Sequence, residues 1–361
     1  MDSAGVIGIM SGTSLDGLDI CYVRFNFLND QWQVSELKTK SIDYSTTWRK
    51  SLSDAYYYSP EEVIALDLSY GDFIATRVKE FMDEEKLTNH VDLVASHGHT
   101  IFHQPDKGIT VQIGNGQVIA NRLQKKVVSD FRSKDVSLGG QGAPLVPIGD
   151  RFLFSEYEVC LNLGGIANVS FDKNSERKAF DVSPCNLPLN KIMREDFGKE
   201  FDESGKYAAM GICSESLLEA LNALQFYQDE PPKSLGLEWL HANFYPLLFG
   251  EAHNHLSSKD KLRTIVEHET DQIASVLNQH QLKSILVTGG GAFNGFFIDR
   301  LIAKTKGEII LPSKEIIAFK EALIFAFLGL RSLRGEVNAL KSVTGASRDS
   351  SGGVISHPST V

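Results

Sequence analysis

Apolar residues alternate with polar ones, or run unbroken, over residues 6–10, 20–27 and 32–38, with short turns between them. That period predicts three strands in an antiparallel meander. Ser59-Pro60-Glu61-Glu62 then supplies an N-cap, a proline at the first helical position and a capping-box glutamate, and a helical period follows to about Leu87. A buried strand over 91–96 ends in Ser96-His97-Gly98-His99-Thr100, which places polar groups at the carboxyl edge of a sheet, where open α/β sheets hold ligands. A helix over 114–123 and a strand over 126–129 come next. Residues 129–144 break the pattern with glycine and proline, a composition fit for an interdomain crossing.

Beyond the break the opening repeats: a buried strand over 159–163, a turn containing Gly164, Gly165 and Asn168, and a returning strand over 169–171. A short strand at 179–180 ends at Asp181, and a helical region covers 184–197. Ser258 is expected to cap a helix running to about His280, with Glu267, Glu269 and Asp271 on its solvated side. A strand over 284–287 leads into a glycine triplet and a helix, and a last apolar helix covers 320–333. The tail from Arg348 reads as poorly packed except around Val343-Thr344-Gly345-Ala346.

This alternation is α/β, and 361 residues suffice for two domains. The expected division is an N-terminal lobe of 1–132, joined by the tail 341–361, and a C-terminal lobe of 133–340. No repeat of 20 to 50 residues is visible, so the duplication is one of topology alone. A net charge of −10 argues against non-specific nucleic-acid binding. The opening residues lack a basic n-region, and the apolar run after them is too short for a signal peptide or a span, which points to a cytoplasmic protein with no membrane partner. Cys21, Cys160, Cys185 and Cys213 show no paired spacing, so neither a disulfide framework nor a zinc knuckle is indicated.

The chemistry concentrates in glycine-bearing turns. From Gly8 to Asp19 the chain is small, hydroxyl-bearing and acidic. Gly12 and Gly17 let backbone N–H groups approach phosphate, Ser11, Thr13 and Ser14 add donors without bulk, and Asp16 or Asp19 suits Mg²⁺. Neither Walker nor dinucleotide spacing is present, and an ordinary strand turn reads the segment equally well. Gly289, Gly290 and Gly291 offer bare backbone to a planar ring ahead of a helix N-terminus. His97, His99 and His103 lack a carboxylate or cysteine ligand at local spacing, which disfavours a metal there.

Seven motifs taken in order, Met10-Ser11-Gly12-Thr13-Ser14-Leu15-Asp16-Gly17, Ser96-His97-Gly98, Asp130-Phe131-Arg132, Gly139-Gly140-Gln141-Gly142-Ala143-Pro144, Leu161-Asn162-Leu163-Gly164-Gly165-Ile166-Ala167-Asn168, Gly289-Gly290-Gly291-Ala292-Phe293-Asn294 and Val343-Thr344-Gly345-Ala346, resemble the anhydro-N-acetylmuramic acid kinase family. The resemblance spans nearly the whole chain. It implies a two-lobed actin-like ATPase (ribonuclease H-like) fold with an ATP cleft between the lobes. It also implies a peptidoglycan-recycling reaction in which 1,6-anhydro-N-acetylmuramic acid, ATP and water give the 6-phosphate and ADP, and a homodimer.

Phe180-Asp181-Val182-Ser183-Pro184-Cys185-Asn186 stands where the family has Phe/Tyr-Asp-Thr-Gly-Pro-Gly-Asn, so the resemblance makes Asp181 the base that polarises water. Without it, Asp181 reads as a cap for the following helix. By the same resemblance Ser11, Gly12, Thr13, Ser14, Asp16, Gly17 and Asp19 hold phosphates and Mg²⁺, Gly164 and Gly165 face the phosphates, and Gly289, Gly290, Gly291 and Asn294 receive adenosine. Ser96, His97, Arg132, Asn168 and Asn186 are candidate sugar contacts. Arg132 suits the lactyl carboxylate through a bidentate pair, an interlobe ion pair being the alternative.

His99, Val182, Ser183, Cys185, Asn190 and Leu235 depart from the family pattern and cluster on the sugar side, which leaves a different anhydro amino sugar open as acceptor. A heat-shock-type ATP-binding module and a two-carboxylate glycosidase are the readings from other classes.

Overall fold

The computed structural model describes residues 2–12 and 15–359. Its first three strands are β1 (Ser3–Ser11), β2 (Gly17–Leu28) and β3 (Gln31–Asp43), paired antiparallel as the alternation predicts. β4 (Leu93–Ser96) joins β1 in parallel, and a parallel strand between two neighbours is covered on both faces, which is why all four of its residues are buried and apolar or small. A separate hairpin, β5 (His99–Gln104) with β6 (Ile109–Ile113), follows, and β7 (Lys126–Ser129) extends the main sheet beside β4. The helix Pro60–Glu84 carries the expected capping box, with Ser59 and Glu62 satisfying each other's backbone N–H. It buries Ile74, Val78 and Phe81 in one core with Ile7, Ile9 and Ile20.

The second set of strands is β8 (Val159–Leu163), β9 (Ile166–Lys173), β10 (Glu176–Pro184), β11 (Ser284–Thr288) and β12 (Glu308–Ile310). Their order in the sheet, β10-β9-β8-β11-β12, follows the same path as β3-β2-β1-β4-β7 in the first. Three strands run antiparallel and the next two are added in parallel. The repeated opening read in the sequence is therefore a repeated sheet, as an actin-like, ribonuclease H-like class requires. The helix Ser258–Gln279 is buried against this sheet through Ile265, Val266 and Ile273.

The chain divides into two compact units, 1–155 with 319–361 and 156–318. The division falls after residue 155 rather than 132, and the return falls at 319, within the helix Lys314–Leu333, rather than at 341. The cause is visible in the helix Val146–Leu153. Asp150 makes a buried ion pair with Lys320 at 2.7 Å, and Gly149 lies against Ile324, so this stretch folds onto that long helix.

Three other expectations change. The tail forms the helix Lys341–Thr344 and the strand Val354–Ser356, which pairs with β7, so it is an integral sixth strand of the first sheet. Ser257, not Ser258, caps the helix Ser258–Gln279. Glu267 and Glu269 on that helix are buried rather than solvated, because Arg263, Arg300 and Lys304 surround Glu267 while Glu269 points into the core. No helix among the described residues is long and apolar enough to cross a membrane.

Candidate active site

The turn joining β1 to β2 begins at Gly12, and the N–H of Leu15 closes on the Gly12 carbonyl at 3.4 Å. Thr13 and Ser14, both expected to meet phosphate, lie outside the described residues. Ser11 does not present its hydroxyl to a ligand: Oγ is buried, 2.7 Å from Tyr44 Oη and 2.9 Å from His99 Nδ1, and Tyr44 continues to Tyr70 Oη at 2.5 Å. Burial lowers the His99 pKa to about 4, so its ring is neutral at pH 7. The departure at position 99 thus supplies an anchor under the phosphate-like turn.

Asp16 is exposed and Asp19 half-buried. Ser41 Oγ donates to Asp19 Oδ1 at 2.7 Å, and burial first, with the charge of Asp16 adding to it, outweighs that bond and raises the Asp19 pKa. Two carboxylates beside a phosphate-type turn, close enough for the charge of Asp16 to act on Asp19, offer the hard oxygen donors a divalent cation takes, so the residues fit Mg²⁺.

Ser96 ends β4 fully buried, its hydroxyl without a hydrogen-bond partner among the described residues. His97 follows, and Arg132 reaches it with Nε at 3.0 Å and Nη2 at 2.9 Å from Nε2, while Nη1 donates to the Gly142 carbonyl at 2.6 Å. Arginine cannot accept, so His97 carries its proton on Nδ1 and gives it to the Gly98 carbonyl at 2.9 Å. Burial, then the Arg132 charge, keep His97 neutral. The guanidinium expected to pair with a lactyl carboxylate thus has its Nε–Nη2 edge turned toward His97, leaving the remaining Nη protons for a ligand. His103 bonds Thr110 at 3.1 Å, so the three histidines point to three different partners.

Asp135, absent from the motif reading, holds the glycine loop below Arg132. Its Oδ2 accepts the Gly142 N–H at 2.8 Å and its Oδ1 accepts Thr344 Oγ1 at 2.8 Å. The Thr344 motif therefore braces the loop whose Gly142 carbonyl fixes Arg132. Glu321 was also missed, as a single acid in an apolar helix pattern. Desolvation raises its pKa against the lowering charges of Arg132 and Lys320.

In unit 156–318, Asp181 lies inside β10 rather than at the end of a short strand, opposite Asn168 in β9, where the pairing becomes irregular between Asp181 and Ser183. Leu235 N–H donates to its Oδ2 at 2.8 Å and its own N–H bonds the Lys233 carbonyl at 3.1 Å. Burial, only partly offset by the Leu235 N–H, raises its pKa to about 6. It caps nothing: the N-cap of the helix Asn186–Phe197 is Cys185.

The two glycine turns of this unit pack on each other. Asn186 Nδ2 donates to the carbonyls of Leu163 and Gly164 at 3.0 and 2.7 Å. A Cβ on Gly289 would stand 2.8 Å from the Leu163 backbone, and one on Gly291 2.7 Å from the Leu163 side chain. Gly165 and Gly290 stay exposed. Asn186, expected at the sugar, thus has its amide nitrogen committed to shaping the turn, and Asn294, expected at adenosine, caps the helix Gly295–Lys304 through Oδ1 on Phe297 N–H.

The family model for anhydro-N-acetylmuramic acid kinase matches residues 4–358 of this chain. The chain belongs to that family. Its relatives named anhydro-N-acetylmuramic acid kinase include those of Methylorubrum populi, 33% identical over 98% of this chain and 98% of the relative, and Shewanella oneidensis, 33% over 97% of each. The relative of Vibrio cholerae is 33% identical over 98% of each chain. Membership makes the protein a sugar kinase by class, so the glycine turns and Asp181 are to be weighed as parts of a phosphotransfer site.

Proposed function

We propose that the protein opens 1,6-anhydro-N-acetylmuramic acid with water and transfers the γ-phosphoryl of ATP to the freed 6-oxygen. The observation that carries the reading is Asp181: a carboxylate held by one N–H, with its pKa raised to about 6, in the motif position of the family base. At pH 7 it is ionised yet basic enough to accept a proton from water attacking the anomeric carbon. As the C1–O6 bond breaks, O6 takes up the phosphoryl group, and the proton from water stays on the carboxylate until release.

In this reading Gly12, Asp16, Gly17 and Asp19, together with Thr13 and Ser14, face the phosphates, and Gly164, Gly165 and Gly289–Gly291 form the nucleotide cradle. Mg²⁺ bound at Asp16 and Asp19 would neutralise charge on the phosphates. Ser96, Arg132 and Asn168 face the sugar, whereas His97, expected there, has both ring nitrogens on Gly98 and Arg132 and serves to orient the guanidinium. The raised Asp19 carboxyl and the unmet Ser96 hydroxyl support these roles. The working form is a homodimer in the cytoplasm.

The test is mass spectrometry of products made from the anhydro sugar, Mg-ATP and ¹⁸O-water. Label at the anomeric carbon of a 6-phosphate is expected, and consumption of a different anhydro sugar in its place would overturn the substrate. Asp181→Asn should bind ATP normally and lose about 10²–10⁴ in kcat. Wild-type kcat should fall as pH drops through about 6, where Asp181 becomes protonated.

A further inference from the structure

Behind β10 lies a buried chain of polar side chains that none of these roles uses. His268 is fully buried on the helix Ser258–Gln279, with Nδ1 2.6 Å from Asn222 Oδ1 and Nε2 2.7 Å from Tyr227 Oη. Gln272 donates to the same Asn222 oxygen at 2.9 Å. That oxygen accepts from both sides, so His268 keeps its proton on Nδ1 and the Tyr227 hydroxyl donates to Nε2. Burial, then the charge of Lys304, lowers the His268 pKa to about 3, so the chain is neutral and its direction is fixed.

Tyr227 ends the turn Gln225–Tyr227, and its neighbour Phe226 accepts Lys233 Nζ through the carbonyl at 2.9 Å while the ammonium sits 4.5 Å from the Phe226 ring centre. The Lys233 carbonyl takes the Asp181 N–H, and the Leu235 N–H meets Asp181 Oδ2. From the helix interior to the carboxylate, every link is a hydrogen bond or a step of one or two residues.

We propose that Tyr227, held by His268 and Asn222, is a positioning residue for Asp181: it fixes the loop 226–235 so that Lys233 and Leu235 orient the carboxylate. The inference rests on reading Asp181 as the base. Two influences set the acidity of Asp181, burial raising its pKa and the Leu235 N–H lowering it, and the second is a single backbone donor carried by this loop. The ionisable groups around the chain do not replace it. Asp229 and Glu230 act on Lys233. Glu269, which faces Cys185 and Tyr227, is buried with neither carboxyl oxygen hydrogen-bonded among the described residues, and burial raises its pKa well above the usual carboxylate range. The donor at Leu235 is its backbone N–H, so the bond to Asp181 does not draw on the side chain at this position.

The test compares wild type, Tyr227→Phe and Lys233→Met with Mg-ATP and 1,6-anhydro-N-acetylmuramic acid over roughly pH 5 to 8. Tyr227→Phe breaks the chain at one oxygen. Lys233→Met frees the loop from a half-buried position and decides the question if Tyr227→Phe does not fold. Each should lower kcat about tenfold, leave the KM for ATP unchanged, and move the acid limb of kcat upward by about half a pH unit, because the donor that favours the charged carboxylate is loosened. A merely structural residue would lower the yield of active protein without moving the limb. A limb that stays in place or moves down overturns the proposal. If Asp181→Asn is inactive and the limb is unmoved, only the positioning role falls; if Asp181→Asn stays active, the base reading falls and takes this inference with it.

Discussion

At Gly289 the backbone sits at φ 85°, where an L side chain is strained, and a Cβ would come within 2.7 Å of Asn162 Oδ1. Because backbone as well as a side chain stands in the way, Gly289→Ala should lower stability by about 1–3 kcal/mol in urea unfolding and weaken ATP binding. An unchanged midpoint would show that the turn can yield. Other site residues teach a different lesson. Ser11, Asn186 and Asn294 are polar residues in the right motifs, yet Ser11 Oγ, Asn186 Nδ2 and Asn294 Oδ1 hold protein groups. Asp181 was readable by motif, whereas its pKa of about 6 was not, because it comes from burial and from an N–H 54 residues away.

Among the elements, the short helix Lys341–Thr344 has a role that its sequence hides. Thr344 Oγ1 donates to Asp135 Oδ1, the Thr344 carbonyl accepts Gln141 N–H at 2.8 Å, and Asp135 in turn holds Gly142. Thr344→Val keeps the shape and leaves a buried carboxylate short of one donor, so it should cost about 1–3 kcal/mol in thermal or urea unfolding. If the brace also sets Arg132 through the Gly142 carbonyl, KM for the sugar should rise while KM for ATP stays. Equal stability with equal KM would remove the brace. Elements with strong local signals, such as the capped helix Pro60–Glu84, were legible within a few residues. The length of β10 and the final strand were not, since each exists by pairing with a neighbour.

For the whole molecule, nucleotide binding should appear as stability. Mg-ATP at about a hundred times its Kd should add about 2.7 kcal/mol to unfolding, in Asp181→Asn as in wild type. EDTA should abolish turnover and most of that gain, and full activity in EDTA would reject the Mg²⁺ role of Asp16 and Asp19. Sequence alone determined the family, the order of the glycine turns, the repeated strand-turn-strand opening and the motif that singles out Asp181 as a candidate, because each is written in residues adjacent along the chain. Tertiary structure decided where the units divide, which hydroxyls and amides face inward, and which groups lose their charge. Those outcomes depend on partners such as His99, 88 residues from Ser11, and Thr344, 209 residues from Asp135, and on a burial that no local pattern encodes.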